Sequence, residues 1–336
     1  MNTMQVGSMK AVLIKAPGDP DVLYIGETEK QLLREGEVLI KMAATAVNRA
    51  DIEQRKGKYP APPNESEVLG LEVSGTIVEI AAGVSGWSLG DKVMAILAGG
   101  GYGEYVTAPA SVLLKTPEGL SLEEAAALPE ALSTNIINLY LEAGLKKGER
   151  VLIHGGGSGI GTAAIQLVKA YTGNEVFVTV GSEEKAEKCR ALGADHVINY
   201  KTEDFASRIA EITGKKGVNV ILDHIGGSYL DGNMKSLSVG GRLVIIGLMG
   251  GIKAELNIGR MMVKRQRIIG SVLRSRPLPE KVKIAAFFSE HVSPLIDAKK
   301  IAPVIDTMLP ISNVAEAHRL MESSAHFGKI VLTADY

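Results

Sequence analysis

The sequence predicts an α/β protein, a β-rich domain joined to a Rossmann-type doubly wound parallel sheet. Three observations predict it. From Arg150 onward, short apolar runs alternate with helical stretches, the pattern of a parallel sheet covered by helices on both faces. A small-residue turn, Gly155-Gly156-Gly157-Ser158-Gly159-Ile160-Gly161, links the first of these runs to an amphipathic stretch. The first third instead shows two-residue alternation broken by Gly and Pro, which suits a partly closed antiparallel sheet.

In the β-rich part, Val38, Ile40 and Met42 alternate with Leu39, Lys41 and Ala43, and residues 73–80 and 92–96 are further strand candidates. Gly36, Gly57, Pro60, Pro62, Pro63, Gly83 and Gly90 punctuate them. Gly99, Gly100 and Gly101 read as a flexible stretch near the domain junction, either a lid or an ordinary loop. Residues 122–127 are helical in character, with Ser121 as a cap. Strand candidates then fall at 151–153, 176–180, 196–198, 218–222 and 242–246. The intervening helix 160–171 has Ile160, Ala163, Ala164, Leu167 and Tyr171 on one face. After Ser275 come two helices, 280–288 and 313–321, and a strand-like tail, 329–332, expected to rejoin the first domain. The expected domains are therefore 9–129, a nucleotide-binding domain at 130–275, and a returning segment at 276–336.

A chain of 336 residues suffices for two cores. A formal net charge of −1 speaks against a dedicated binder of nucleic acid or anionic membranes. The single cysteine, Cys189, cannot form an intramolecular disulfide or a multi-thiolate zinc site. The first residues read as a short polar extension rather than a signal peptide. No apolar run approaches the ~20 residues of a membrane helix, and a cytoplasmic location is expected. His154, His196, His224, His291, His318 and His326 are scattered without metal-ligand spacing. No metal site is expected, and His154 reads as a hydrogen-bonded turn residue.

The glycine turn is the strongest motif. Small residues let a backbone turn sharply and approach a pyrophosphate, and the amides at the helix start face its charge. Ser158 stands where the middle glycine of the strict pattern would be. The second strand ends at Gly181 and Ser182, where NAD-preferring sites usually carry an acid for the ribose 2′-hydroxyl. A small residue leaves space for a 2′-phosphate, Ser182 can donate to it and Lys185 supplies a cation. Glu183 and Glu184 cut against this unless they face solvent. Tyr200 either lies against the adenosine or only packs. The balance favours NADPH over NADH.

A set of segments carries a resemblance: Val47-Asn48-Arg49-Ala50-Asp51, Gly57-Lys58-Tyr59, Leu69-Gly70-Leu71-Glu72-Val73-Ser74-Gly75, His154 to Gly161 with Thr162-Ala163-Ala164-Ile165-Gln166-Leu167, Asp223 to Tyr229, Gly247-Leu248-Met249-Gly250-Gly251 and Leu273-Arg274-Ser275-Arg276. On these the chain resembles the medium-chain dehydrogenase/reductase superfamily, within it the zinc-free quinone oxidoreductases allied to zeta-crystallin, and among those the tumour-suppressor-inducible type. Zinc-dependent members carry cysteine where Asn48 stands and histidine where Leu71 stands.

The resemblance implies a GroES-like first domain. It implies Asn48 and Tyr59 beside the substrate and the nicotinamide, and Thr134 at the nicotinamide end. Ser158, Gly159 and Ile160 would bind the pyrophosphate, and Gly181, Ser182, Lys185 and Tyr200 the phosphorylated adenosine. Ile225, Gly247, Met249, Val272 and Leu273 would line the nicotinamide half. A homodimer or homotetramer is implied, with residues 268–273 as the candidate edge. Asp51 and Glu72 read either as an acid–base pair or, preferably, as a buried ion pair with Arg49 or Arg55. The expected chemistry is hydride transfer from NADPH to a quinone. The alternatives are reduction of α,β-unsaturated carbonyls and nucleotide-regulated RNA binding.

Overall fold

The computed structural model describes residues 7–336. In chain order its strands are β1 (Ser8–Ile14), β2 (Leu23–Glu29), β3 (Glu37–Ala46), β4 (Glu72–Ile80), β5 (Lys92–Ile96), β6 (Tyr105–Pro109), β7 (Leu114–Lys115), β8 (Arg150–Ile153), β9 (Glu175–Val180), β10 (His196–Asn199), β11 (Val218–Asp223), β12 (Leu237–Ile245), β13 (Arg267–Gly270), β14 (Ile305–Pro310) and β15 (Lys329–Thr333). They divide between two compact units. One holds the chain up to Ser133 with Arg274–Ser293 and Pro303–Tyr336, and the other holds Thr134–Leu273 with Pro294–Ala302.

In the first unit β1 and β2 form a hairpin. The larger sheet runs β14-β15-β3-β4-β5-β7, with β6 also paired to β3. Alternation along β3 buries Val38, Ile40 and Met42 in a core shared with Val73, Ile77, Val93, Ile330 and Leu332. The last strand returns to this sheet, with Val331 opposite Ala46 and Leu332 opposite Thr45. Gly99, Gly100 and Gly101 do not form an open lid. They are buried, and a Cβ on Gly99 would stand 2.3 Å from the Ser66 carbonyl oxygen, one on Gly101 2.5 Å from that of Glu72. The glycines here serve close backbone approach rather than mobility.

In the second unit six strands run in the order β10-β9-β8-β11-β12-β13, every neighbouring pair parallel. The order reverses between β8 and β11, the point where open α/β sheets hold ligands beyond their carboxyl ends. Leu152, Phe177, Ile198, Ile221 and Leu243 build one core face. The helix Gly159–Tyr171 buries Ala164, Ile165, Leu167 and Val168. The anticipated face through Ile160, Ala163 and Tyr171 is thus turned by about one residue. Tyr171 instead meets Tyr140 edge-on at 5.2 Å. β12 starts five residues before the expected 242, because Gly240 at φ 72° accommodates a bulge against β11.

Candidate functional site

In the second unit the expected cofactor residues other than Thr134 follow the carboxyl ends of the parallel strands. After β8 the turn leads to Ser158, which caps the helix Gly159–Tyr171 and accepts from the Gly161 amide at 3.0 Å. Gly159 and Ile160 are the next residues of that first turn, where amides lack partners within the helix. Three glycines are sterically required. Gly155 has φ +66°, and a Cβ there would lie 2.4 Å from the His224 ring. At Gly156 a Cβ would meet Val178 at 2.8 Å, and at Gly161 the Gly155 carbonyl oxygen at 2.3 Å. The turn therefore packs closely on the sheet, with the Gly156 amide donating to the Thr179 carbonyl and the Ser158 amide to that of Gly155, both at 2.9 Å, and leads into the helix start, a shape that fits a dinucleotide pyrophosphate.

At the end of β9, a Cβ on Gly181 would stand 2.5 Å from the Tyr200 hydroxyl, so these two residues are neighbours. Ser182 caps the helix Glu183–Ala191 by accepting from the Lys185 amide at 3.3 Å. Glu183 pairs with Arg190 and Glu184 with Lys188, both at 2.7 Å on the exposed helix surface. Beyond β11 and β12 two loops clasp each other. The Met249 amide donates to the His224 carbonyl at 3.2 Å and the Gly250 amide to that of Ile225 at 2.6 Å. Gly247 is packed against His224, where a Cβ would lie 2.8 Å from its carbonyl oxygen. Val272 and Leu273 follow β13. Thr134 is buried in the helix Pro129–Asn135, and its carbonyl accepts from Asn138 at 2.7 Å.

Beneath these loops runs a buried polar chain through His154, the residue expected to be hydrogen-bonded at the turn, and no motif specified its partners. Asn233 donates to Asp223 Oδ2 at 3.0 Å, which turns its Oδ1 toward His154 Nε2 at 2.7 Å. His154 Nε2 therefore carries the proton, and Nδ1 accepts from Thr179 Oγ1 at 3.0 Å. Thr179 Oγ1 in turn accepts from the Gly155 amide at 3.2 Å, and Asp223 accepts from the Ile225 and Gly226 amides. The chain fixes the glycine turn and the 225–226 loop together. Burial pulls His154 down to about 3, so it is neutral at physiological pH.

In the first unit, Asn48 is a buried residue at the start of the helix Arg49–Arg55. Its Nδ2 donates to Glu72 Oε1 at 2.8 Å and to the Ala46 carbonyl at 3.2 Å, while its Oδ1 accepts from Lys329 Nζ at 2.7 Å. Lys329 also meets Glu72 Oε1 at 2.7 Å, and Glu72 Oε2 accepts from the Glu130 amide at 2.9 Å. Asp51 accepts from the Asn48 and Gly70 amides at 2.8 and 3.0 Å. The expected pairing of Asp51 and Glu72 with Arg49 or Arg55 is thus corrected. Arg55 goes to Glu322 and His318, and Arg49 to the Met321 carbonyl. Nor do Asp51 and Glu72 pair as acid and base, because each is tied to its own donors.

Tyr59 is half-buried, and its ring lies 5.4 Å from the Arg274 guanidinium. Burial raises its hydroxyl above the ordinary range, which keeps it protonated and able to donate. The position where zinc-dependent relatives place ligands does not fit a metal ion. An ammonium, Lys329 Nζ, already occupies Asn48 Oδ1 and Glu72 Oε1. Among the described residues no three His, Cys, Asp or Glu side chains form a metal-holding group.

A second buried chain in this unit leads to a pH prediction. Arg55 Nη1 can only donate, so His318 Nδ1 accepts and Nε2 donates to the Tyr102 hydroxyl, each at 3.2 Å. Burial pulls His318 from 6.5 to about 3. The unfolded imidazole takes a proton below about 6.5 while the folded one does not. Its contribution to stability is therefore lost as pH falls from about 6.5 toward about 3. Asp51 and Asp223, raised by burial to about 6, act oppositely between about 6 and the ordinary aspartate range. Gln at 318 keeps one acceptor and one donor without titrating. His318→Gln should lose less of its thermal midpoint between pH 6.5 and 4 than the native chain. Equal losses in differential scanning calorimetry would refute this.

Comparison with known proteins agrees with this fold. The Zinc-binding dehydrogenase family profile matches residues 159–289, and the Alcohol dehydrogenase GroES-like domain profile matches residues 34–118. The quinone oxidoreductase of Rattus norvegicus is 32% identical over 327 residues, covering 96% of this chain and 97% of that protein. A mycobacterial protein solved as a complex with NADPH superposes with a TM-score of 0.87 at 29% identity, covering 97% of this chain and 100% of the other. The JamJ enoyl reductase superposes with a TM-score of 0.87 at 29% identity, covering 98% and 100%. No helix among the described residues is long and apolar enough to cross a membrane.

Proposed function

Because the chain belongs to the medium-chain dehydrogenase/reductase superfamily, as a relative of its quinone oxidoreductases, we propose that it uses NADPH to reduce quinones without a metal. The observation that carries the choice of cofactor is the end of β9. Gly181 and Ser182 replace an acid there, Lys185 follows, and both nearby glutamates are committed to cations on their own helix. An anionic 2′-phosphate thus meets a helix start, a hydroxyl and an ammonium rather than a carboxylate.

When bound, NADPH supplies the hydride. The Gly155–Gly161 turn and Ser158 hold the pyrophosphate, and Tyr200 lies beside the adenosine. Ile225, Gly247, Met249, Val272, Leu273 and Thr134 flank the nicotinamide half. Tyr59 donates a hydrogen bond to the acceptor oxygen, and water supplies the proton that completes the hydroquinone. Asn48 acts by holding Glu72 and Lys329 in place. Positioning of two rings and exclusion of water supply most of the rate.

Steady-state rates with NADPH and NADH test the reading against 1,4-benzoquinone, menadione and but-3-en-2-one. The expected result is NADPH-dependent turnover highest with the quinones. Turnover confined to the enone would favour the second reading, supported by the likeness to an enoyl reductase. Absence of turnover with any acceptor would refute both. The setting proposed is cytoplasmic, with small-molecule substrates and no nucleic-acid partner.

A second copy of the chain is the proposed partner of the β13 edge. Met262 and Val263 are 70% and 77% exposed beside it, with Ile258, Ile268 and Val272 also exposed. Apolar side chains gathered at a sheet edge mark an association surface. Val263→Asp should shift the chain from dimer or tetramer toward monomer in analytical ultracentrifugation. An unchanged sedimentation coefficient would refute the assignment.

A further inference from the structure

Across the carboxyl ends of three adjacent parallel strands runs a single line of side chains. Thr179 stands near the end of β9, His154 follows β8, and Asp223 ends β11. Asn233, from the helix Leu230–Ser236, closes the line between the last two. All four are buried, Asn233 and Asp223 with no exposed surface. Asn233 accepts from His154 Nε2 at 2.7 Å and donates to Asp223 at 3.0 Å. A carboxamide offers a donor and an acceptor at one fixed end, whereas leucine, of similar volume, offers neither. The outer ends of the line hold backbone. Thr179 Oγ1 takes the Gly155 amide at 3.2 Å, and the Asp223 carboxylate takes the Ile225 and Gly226 amides at 2.7 and 3.1 Å. The Phe205 and Tyr229 rings pack edge-on against the His154 ring at 4.9 and 4.8 Å and hold the imidazole in place. A fully satisfied buried network of this kind is rigid, and one stranded member loosens it.

We propose that Asn233 is a positioning residue for the dinucleotide, fixing the phosphate turn and the 225–226 loop relative to each other from beneath without meeting the coenzyme. The proposal rests on the reading of this unit as a coenzyme site. On that reading the turn serves the pyrophosphate and the 225–226 loop the nicotinamide half, so one buried amide holds both halves of the site. Loops ordered in advance spare the coenzyme the ordering it would otherwise impose, and affinity rises by what that ordering would have cost. Both halves are common to NADPH and NADH. Asn233 therefore governs affinity for the two alike and leaves the choice between them to Gly181 and Ser182.

The test compares the full native chain with Asn233→Leu, Thr179→Val and the double variant, each checked by its melting curve. In fluorescence titrations Asn233→Leu should raise the dissociation constants of NADPH and NADH by the same factor, about 2- to 30-fold, the range for a residue that acts on a ligand through its neighbours. Thr179→Val cuts the same line at the turn. The double variant should therefore lose less affinity than the product of the two single losses. A full product would make the two changes independent structural defects and overturn the proposal. In the chain without coenzyme, Asn233→Leu should speed amide hydrogen exchange in both residues 154–158 and residues 223–227. Faster exchange confined to one segment, or native coenzyme affinity in a folded variant, would overturn the proposal. If Asn233→Leu fails to fold, Asn233→Asp is measured the same way, since it keeps the acceptor for His154 and lacks the donor to Asp223. A native chain that binds neither coenzyme would instead overturn the functional reading, while exchange in the two segments still decides whether Asn233 joins them.

Discussion

Ser182→Asp should raise the KM for NADPH about 100-fold and leave that for NADH within about threefold. Asp caps a helix as well as Ser does, so its carboxylate can replace the bond to the Lys185 amide and also favours the helix start. The fold should therefore be unaffected. The new charge would face the 2′-phosphate, where two like charges 4 Å apart repel by ~4 kcal/mol at an effective dielectric near 20. A 100-fold change corresponds to about 2.7 kcal/mol, within that limit after screening. The ribose 2′-hydroxyl of NADH can instead donate to the carboxylate. Steady-state kinetics with both coenzymes checks this, together with a melting curve. Equal rises for both coenzymes would place the 2′-phosphate elsewhere.

Lys329→Met should destabilise the first unit by about 3–5 kcal/mol, the usual cost of stranding one member of a buried ion pair. Glu72 is fully buried, and Lys329 is its ionic partner while also holding Asn48. The cluster joins β15, β4 and the start of the helix Arg49–Arg55, so the loss should appear in denaturant unfolding of this unit. Glu72→Gln combined with Lys329→Met removes both charges. The double variant should recover a large part of the loss, because a neutral replacement leaves no stranded charge. Strict additivity of the two single changes would show that the pair is not coupled.

The nucleotide-binding unit was legible because its signals are local. A strand ending in small residues before a helix has few other physical solutions, and Gly155, Gly156 and Gly161 each proved to be sterically required. The β-rich unit was legible as a class, but its partners were not. Glu72 and Lys329 are 257 positions apart, and no spacing rule connects them. The expectation placed Asp51 and Glu72 on the arginines nearest in sequence, whereas the sheet sets the C-terminal strand beside β3, from where Lys329 reaches Glu72. Gly99–Gly101 left two readings open for a related reason. Glycine permits both mobility and close approach, and only the Ser66 and Glu72 carbonyls packed against it decide which applies. His154 was expected to be hydrogen-bonded, but its partners Asn233 and, beyond it, Asp223 were invisible because they depend on which way single side chains turn. A short polar residue at a strand end or loop carries no periodic signal.

The most direct measurement is calorimetric titration of the native chain with 2′,5′-ADP beside 5′-AMP, which isolates the extra phosphate from the nicotinamide and the acceptor. The account predicts that 2′,5′-ADP binds at least about 10-fold more tightly, as a charge-assisted contact supplies, and that Ser182→Asp abolishes the difference. Equal affinity of the native chain for the two ligands would contradict it.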